Sequence, residues 1–313
     1  TRWAAMAIKA KIYLFEGNWM QVKNITSTIM TEGGFKLFGS YAGLFEIANE
    51  YNSEVILDAQ YRPTSREHQM MYAFLPPSLG GYSQLSPLQE LVDSYIMLDG
   101  KTIKETGTSF DETHPYANRD PRLKATVMYT GNSYTLVDGT EVEINCEKGE
   151  GKDGYGVGSD CSATGYYIKK YWDNTYRATL YSGLNPILIR YADILLMNAE
   201  ALAELGELDK TAWDATIKSI RDRAGFTLAS AVEFPEGASK DKLIEIVRNE
   251  RRSELALEGH RHKDIIRWRI ADDVLNGWCH GLKTNEVVGT DNGYVRVENR
   301  AFNANRHYLW PIP

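Results

Sequence analysis

No run in the 313 residues stays apolar over the ~18–20 positions that a membrane-spanning helix requires. Positive charge is in deficit as well. Thirty-five Lys and Arg against 42 Asp and Glu leave a net charge of −7, the wrong sign for a nucleic-acid surface, which needs a basic field. Cysteine is scarce, with three residues, too few to staple a chain of this length. Cys146 and Cys161 flank a glycine-rich loop, and two readings stay open for them: a 16-residue disulfide loop in an oxidising compartment, or two free thiols. Cys279, next to Trp278, reads as a buried packer. Neither HExxH nor CxxC occurs, so the common zinc signatures are missing, and there is no nucleophile elbow. Gly149-Glu150-Gly151-Lys152-Asp153-Gly154 has the letters of a dinucleotide fingerprint, but Gly156 and Gly158 follow where a helix would have to open, so it reads as a loop.

What is present is helical patterning at both ends. Ala5, Ile8, Ile12 and Phe15 follow a 3.6-residue stripe that ends at Gly17, and a second helix begins near Trp19 with Val22 and Ile25 inward. The pattern is already running at Thr1, so the sequence is expected to start inside a longer protein. Further on, Tyr191, Ile194, Leu195, Asn198, Leu202 and Leu205 share a face, Ala192, Ala199 and Ala203 lie alongside, and Gly206 stands at the C-cap position. Thr211 and Asp214 are spaced as a capping box for the next helix, whose Trp213, Ile217, Ile220 and Ala224 run to Gly225. Helix–Gly–helix units of this kind resemble tetratricopeptide hairpins, which stack because neither helix buries its face alone. A third helix is expected from Asp241, capped by Ser239, to Glu258, closed by Gly259, and a short one around Asp264–Trp268. Residues 281–313 read as irregular, with an apolar Leu309-Trp310-Pro311-Ile312-Pro313 tail that must dock.

The predicted fold class is mainly α: tetratricopeptide-like helical hairpins supporting a large loop-rich insertion with short β-strands. Residues 1–32 would end an N-terminal helical block, 33–184 would be the insertion, and 185–313 a C-terminal helical block with its tail. The insertion holds 15 of the 19 tyrosines, Tyr176 among them, which sets it apart from the helices. Within it, Val55–Tyr61 and Tyr166–Tyr171 read as strands. Ser86-Pro87-Leu88-Gln89 starts a helix running toward Asp99-Gly100. Leu123–Tyr129 reads as a strand that turns at Gly131-Asn132 and pairs with Tyr134–Leu136.

Glu250, Glu254 and Glu258, at i, i+4 spacing near Arg251, Arg261 and Arg267, have the composition of an acid/base site. Arg251, however, falls on the apolar stripe of its helix, beside Ile244, Val247 and Leu255. A charge buried there needs a partner, so an ion-pair lattice is the expected structure.

Six blocks, in order, resemble the SusD/RagB family of nutrient-binding outer-membrane lipoproteins of the Bacteroidota. They are Pro87-Leu88-Gln89-Glu90-Leu91-Val92-Asp93; Tyr116-Ala117-Asn118-Arg119-Asp120-Pro121-Arg122-Leu123; Thr164-Gly165-Tyr166-Tyr167-Ile168-Lys169-Lys170; Ile189-Arg190-Tyr191-Ala192-Asp193 through Glu200-Ala201; Glu250-Arg251-Arg252-Ser253-Glu254-Leu255 through Arg267-Trp268; and Tyr308-Leu309-Trp310-Pro311-Ile312-Pro313. The resemblance implies that the hairpins form an α/α superhelix, that 33–184 is the ligand face, and that the whole is one integrated domain lacking its N-terminal part. It implies a non-enzymatic protein of the outer membrane, lipid-anchored at the cell surface through an N-terminal part not included here. It also implies an oligosaccharide ligand, released by polysaccharide breakdown, and a SusC-like TonB-dependent transporter as partner. Within the family a peptide or glycoprotein ligand stays open. Outside it, a tetratricopeptide scaffold for a protein tail is the alternative, and a glycoside hydrolase stands last. No cofactor is implied, and Glu147, Asp153 and Asp160 leave a structural calcium ion open.

The family motifs do not fix the ligand contacts, so the candidates are chosen by composition. Sugar rings pack their C–H faces on aromatic rings while polar neighbours take the hydroxyls. Tyr61, Arg62, His68, Tyr72, Phe74 and Tyr82 combine both types between Gln60 and Gly81-Tyr82, with Trp172 as an additional candidate; core packing is the competing role for each aromatic.

Overall fold

The computed structural model describes residues 1–175 and 180–309; Tyr176 and the Trp310–Pro313 tail lie outside the described residues. The first helices are α1 (Arg2–Glu16) and α2 (Trp19–Glu32), followed by strand β1 (Val55–Asp58) and helices α3 (Met70–Phe74) and α4 (Gln89–Ser94). Helix α5 (Pro121–Thr126) leads into β2 (Val127–Met128), β3 (Asn132–Thr135), β4 (Glu141–Ile144), β5 (Tyr167–Ile168) and β6 (Ile187–Arg190). Then come α6 (Tyr191–Leu205), α7 (Lys210–Trp213), a π-helical turn, α8 (Ser219–Ala224), α9 (Ala229–Val232) and α10 (Lys240–Glu254). The last elements are α11 (Arg261–Arg267), α12 (Ala271–Val274), β7 (Gly277–Lys283), β8 (Thr290–Asp291) and β9 (Tyr294–Arg300). The fold is mainly helical, with few and short strands.

Two compact units emerge. The first comprises Thr1–Gln60, Asp93–Ala125 and Asn185–Gly259; the second comprises Tyr61–Val92, Thr126–Leu184 and His260–Pro313. Parts of the 33–184 stretch thus fold with the helices, and the remainder shares a unit with the C-terminal strands.

In the first unit, glycine ends the hairpin helices where the pattern placed it: Gly17, Gly206 and Gly225 all take the left-handed conformation that closes a helix. Asn18 caps α2 and Ser239 caps α10. The cap of α7 is Asp209, which accepts from the Ala212 amide at 2.8 Å, and Thr211 lies inside the helix. The stripe expected on α1 is inverted. Ala4, Ala7, Ala10 and Leu14 are buried, while Ile8, Ile12 and Phe15 are 46–54% exposed. The alanines pack with Val22 and Ile29 of α2 and Ile194, Met197 and Ala201 of α6. Small side chains let these axes approach closely, so size outranks hydrophobicity on this face. Helix α6 is buried all round from Ala192 to Ala203, and its second side packs with Trp213, Ile217, Ile220, Leu243 and Val247.

The charges of α10 form a buried lattice. Glu254 takes Arg122 at 2.9 Å, Arg190 at 2.6 Å and Arg223. Arg122 also meets Asp120 and Glu250; Arg190 meets Glu54 and Glu258; Arg223 meets Glu54; Arg221 meets Glu250. Arg251 pairs with Asp193, which Lys11 also approaches. Burial alone would raise the Glu254 carboxyl, but Arg223, Arg190 and Arg122 hold it well below the usual carboxylate range. Burial likewise opposes ionisation of Glu250, and Arg122 and Arg221 outweigh it. Carboxylates so strongly ionised and fully engaged cannot exchange protons near neutral pH, so this cluster is structural. Helix α10 stops at Glu254, short of the expected Glu258. Leu257 and Gly259 take positive φ in the turn beyond, which lets Glu258 reach Arg190.

Two further readings give way to the structure at the change between units. Residues 123–126 are helical, not extended: Asp120 Oδ1 accepts from the Arg122 amide and Pro121 occupies the first helical position. As a result β2 pairs with β5, and β3 pairs with β4. Helix α4 begins at Gln89 and ends at Ser94, before the Asp99-Gly100 turn. In the second unit the stretch read as irregular contains a three-stranded sheet in the order β7-β9-β8. Glycine hid its first strand. A Cβ at Gly281 would lie 2.5 Å from the Thr164 carbonyl oxygen, so close backbone approach requires the residue that lowers strand propensity. Cys146, Cys161 and Cys279 are free thiols: Cys161 donates to the Lys152 carbonyl, and burial pushes the Cys146 thiol up to about 12.

The sheet of the second unit carries one pH-sensitive contact. His280 Nδ1 meets Glu90 at 2.8 Å and Nε2 meets Asp291 at 3.0 Å, while Arg296 also binds Asp291. Burial would lower the His280 pKa, but hydrogen bonds to Asp291 and Glu90 raise it. A folded value above the unfolded value of ~6.5 gives stabilisation that is complete below that pH and lost as pH rises through the folded value. The difference in melting temperature between the native protein and His280→Gln should therefore shrink as pH rises from about 6 to 9. An unchanged difference across that range would contradict this account of the imidazole.

Candidate functional site

The candidate aromatics in the second unit are placed by two turns. Helix α3 ends before Pro76-Pro77, whose rings disfavour helix in the residue before them; Leu75 is extended. A 3₁₀ turn over Pro77–Leu79 and a left-handed Gly80 then reverse the chain. The Tyr82 amide donates to the Tyr72 carbonyl at 2.8 Å, and the Leu85 amide to Ala73 at 2.7 Å. Only glycine permits this return at position 81, because a Cβ there would sit 2.1 Å from the Leu75 carbonyl oxygen. The reversal stacks Tyr72 and Tyr82 with ring centroids 5.6 Å apart and planes 23° apart. Tyr82 is 49% exposed, Tyr72 is half-buried, and Met70 and Leu85 add exposed apolar area on the same two segments. Gly81→Ala should separate those segments and cost about 1–3 kcal/mol of stability, as overpacking does. Loss of the tyrosine stack from near-ultraviolet circular dichroism would check it.

Tyr61, Arg62 and His68 surround a second turn. Arg62 and Arg66 pair across it, their amides and carbonyls exchanging bonds of 2.8 and 2.9 Å. Glu67 Oε1 accepts from the Thr64 amide at 2.7 Å. The Arg66 guanidinium lies 5.2 Å over the Tyr61 ring, and His68 meets that ring edge-on at 4.7 Å. His68 is committed to the fold: Nε2–H donates to the Leu184 carbonyl at 2.8 Å, Nδ1 accepts from the Met70 amide, and its backbone bridges to Ser182. It positions Tyr61 and leaves no ring nitrogen for a ligand.

Phe74 and Trp172 sit in the interior instead. Phe74 is buried with Met71 and Leu75, and Trp172 donates from Nε1 to the Thr135 carbonyl while packing on Tyr134. Arg66, Met70 and Leu85 escaped the sequence reading. Arg66 had a usable signal, standing opposite Arg62 across Pro63-Thr64-Ser65. Of the three carboxylates considered for calcium, Asp153 is buried and accepts from the Ser78 amide at 2.8 Å. Among the described residues no group of three or more His, Cys, Asp and Glu is placed to hold a metal ion. Nor is any helix of the described residues long and apolar enough to cross a membrane.

Comparison with known proteins places these features among relatives. The SusD family model matches residues 44–313. SusD-like protein P25 of Formosa agariphila is 27% identical over 294 residues, covering 88% of this chain and 51% of that protein. The chain thus spans about half the length of that relative. A crystal structure of a SusD-like carbohydrate binding protein from Bacteroides fragilis superposes with a TM-score of 0.86 at 30% identity, covering all of this chain and 63% of that one. A further crystal structure, with xylogluco-oligosaccharide, has a TM-score of 0.60 at 20% identity, covers 86% of this chain and 51% of the other, and shares the fold.

Proposed function

This chain belongs to the SusD family, and from that premise we propose that it binds oligosaccharide at the cell surface through the Tyr72–Tyr82 surface, without cleaving it. The bound sugar passes to a SusC-like TonB-dependent transporter in the outer membrane, where a lipid anchor holds the full protein. The observation that carries this reading is the exposed, stacked tyrosine pair, held together by the Gly80-Gly81 reversal. A rigid aromatic face takes the C–H face of a pyranose with little loss of side-chain entropy. The carbohydrate binding named for the similar Bacteroides fragilis protein supports the same ligand class. Non-catalytic action is supported by Glu250, Glu254 and Glu258, each of which is tied to an arginine. The test is affinity electrophoresis against a panel of soluble polysaccharides, with chromatography of each oligosaccharide after prolonged incubation. Retarded migration with no product is expected; product release from any glycan overturns the non-catalytic reading.

A further inference from the structure

We propose that Arg62 and Arg66 form an anion subsite of this surface, taking the carboxylate or sulfate of an acidic sugar in the bound oligosaccharide. The inference rests on the glycan-binding reading and adds the charge class of the ligand. Two like charges directly opposite each other in an antiparallel pair repel and destabilise it. Here both arginines are exposed, and among the described residues neither guanidinium has a carboxylate within ion-pair distance. The nearby Glu67 spends Oε1 on the Thr64 amide inside the turn.

The turn is held in a costly shape. Thr64, a β-branched residue, takes φ +68°, a region that such residues rarely enter. The paired 62–66 backbone bonds and the Glu67 contact hold it there. Strain maintained by surrounding bonds is characteristic of sites where side-chain placement matters. Stacking on Tyr61 orients Arg66 while leaving its in-plane N–H groups free to donate. A planar guanidinium pairs its N–H fork with two oxygens of a carboxylate or sulfate, and two such forks at one turn suit an anionic substituent on a sugar ring. The aromatic pair Tyr72–Tyr82 in the same unit would take uncharged parts of the same chain.

The test compares polygalacturonate, a sulfated galactan and neutral xyloglucan in affinity gels at one physiological ionic strength. The expected result is stronger retardation on one or both anionic polymers than on xyloglucan, falling at least tenfold in the Arg62→Ala/Arg66→Ala double variant. Polygalacturonate and the sulfated galactan separate carboxylate from sulfate recognition. Arg62→Gln, which disturbs no ring contact, should lose affinity for the anionic polymer alone and keeps the test informative if the double variant unfolds. Equal retardation on charged and neutral polymers, or no loss in the arginine variants, overturns the anion subsite and leaves glycan binding standing. Retardation on none of the three overturns the subsite, and failure across the wider panel overturns the glycan reading with it.

Discussion

Replacing Glu254 by glutamine is expected to destabilise the protein by about 3–5 kcal/mol, the cost of leaving buried charges without their partner. The substitution preserves shape and removes one negative charge from the centre of the lattice. Arg122, Arg190 and Arg223 all converge on that carboxylate. Arg122 and Arg190 are 1% exposed at their side chains, so water cannot replace what is lost. For a chain of this size the melting temperature should fall by on the order of 10 °C. Exposed pairs provide the contrast: breaking Lys242–Glu245 should shift stability by less than ~1 kcal/mol. Acid should act in the same direction as the mutation. A carboxyl depressed in the folded state stabilises above its unfolded pKa of ~4.3, and that stabilisation is lost as pH falls through the folded value. Urea midpoints of Glu254→Gln and native protein at neutral pH measure the effect. A difference under ~1 kcal/mol would mean that the remaining carboxylates redistribute to satisfy all three guanidinium groups.

The second large effect falls on binding. Truncating both Tyr72 and Tyr82 to alanine should weaken oligosaccharide binding by about 2 kcal/mol or more, roughly thirtyfold, the loss typical of a central aromatic anchor. Tyr82→Ala alone should account for much of it, since Tyr82 presents the exposed face and Tyr72 supports it from within. Tyr82→Phe keeps the ring and removes the hydroxyl, so it separates stacking from hydrogen bonding. Tyr61→Ala should matter less, because Arg66 covers that ring and His68 meets its edge. Neither tyrosine of the pair sits in the core, so melting should shift little. An equal loss of binding and of stability would reassign the pair to packing.

What the sequence made legible depended on local chemistry. Helix ends closed by Gly17, Gly206 and Gly225 were readable because a left-handed residue there requires glycine. The α10 lattice was readable because arginine on an apolar stripe demands a partner, although Arg122, Arg190 and Arg223 come from elements distant in sequence. Non-local geometry hid the rest. The inward face of α1 is alanine because α2 and α6 approach closely, and no property of α1 alone announces those neighbours. The β7 strand was masked by Gly281, whose need arises from Thr164 over a hundred residues away. At the candidate site the residue types were legible and their arrangement was not. Tyr72 and Tyr82 pair through a reversal that depends on the Leu75 carbonyl, and composition alone could not separate them from the buried Phe74 and Trp172.

The central claim is that the Tyr72–Tyr82 surface holds an oligosaccharide and leaves it intact. Isothermal titration of the native chain and the Tyr72→Ala/Tyr82→Ala variant, with the oligosaccharide recovered and analysed afterwards, tests it most directly. The account predicts saturable heat for the native chain, at least thirtyfold weaker binding for a variant that melts normally, and unchanged sugar in both. Equal affinity in the two proteins, or shortened sugar from either, would contradict it.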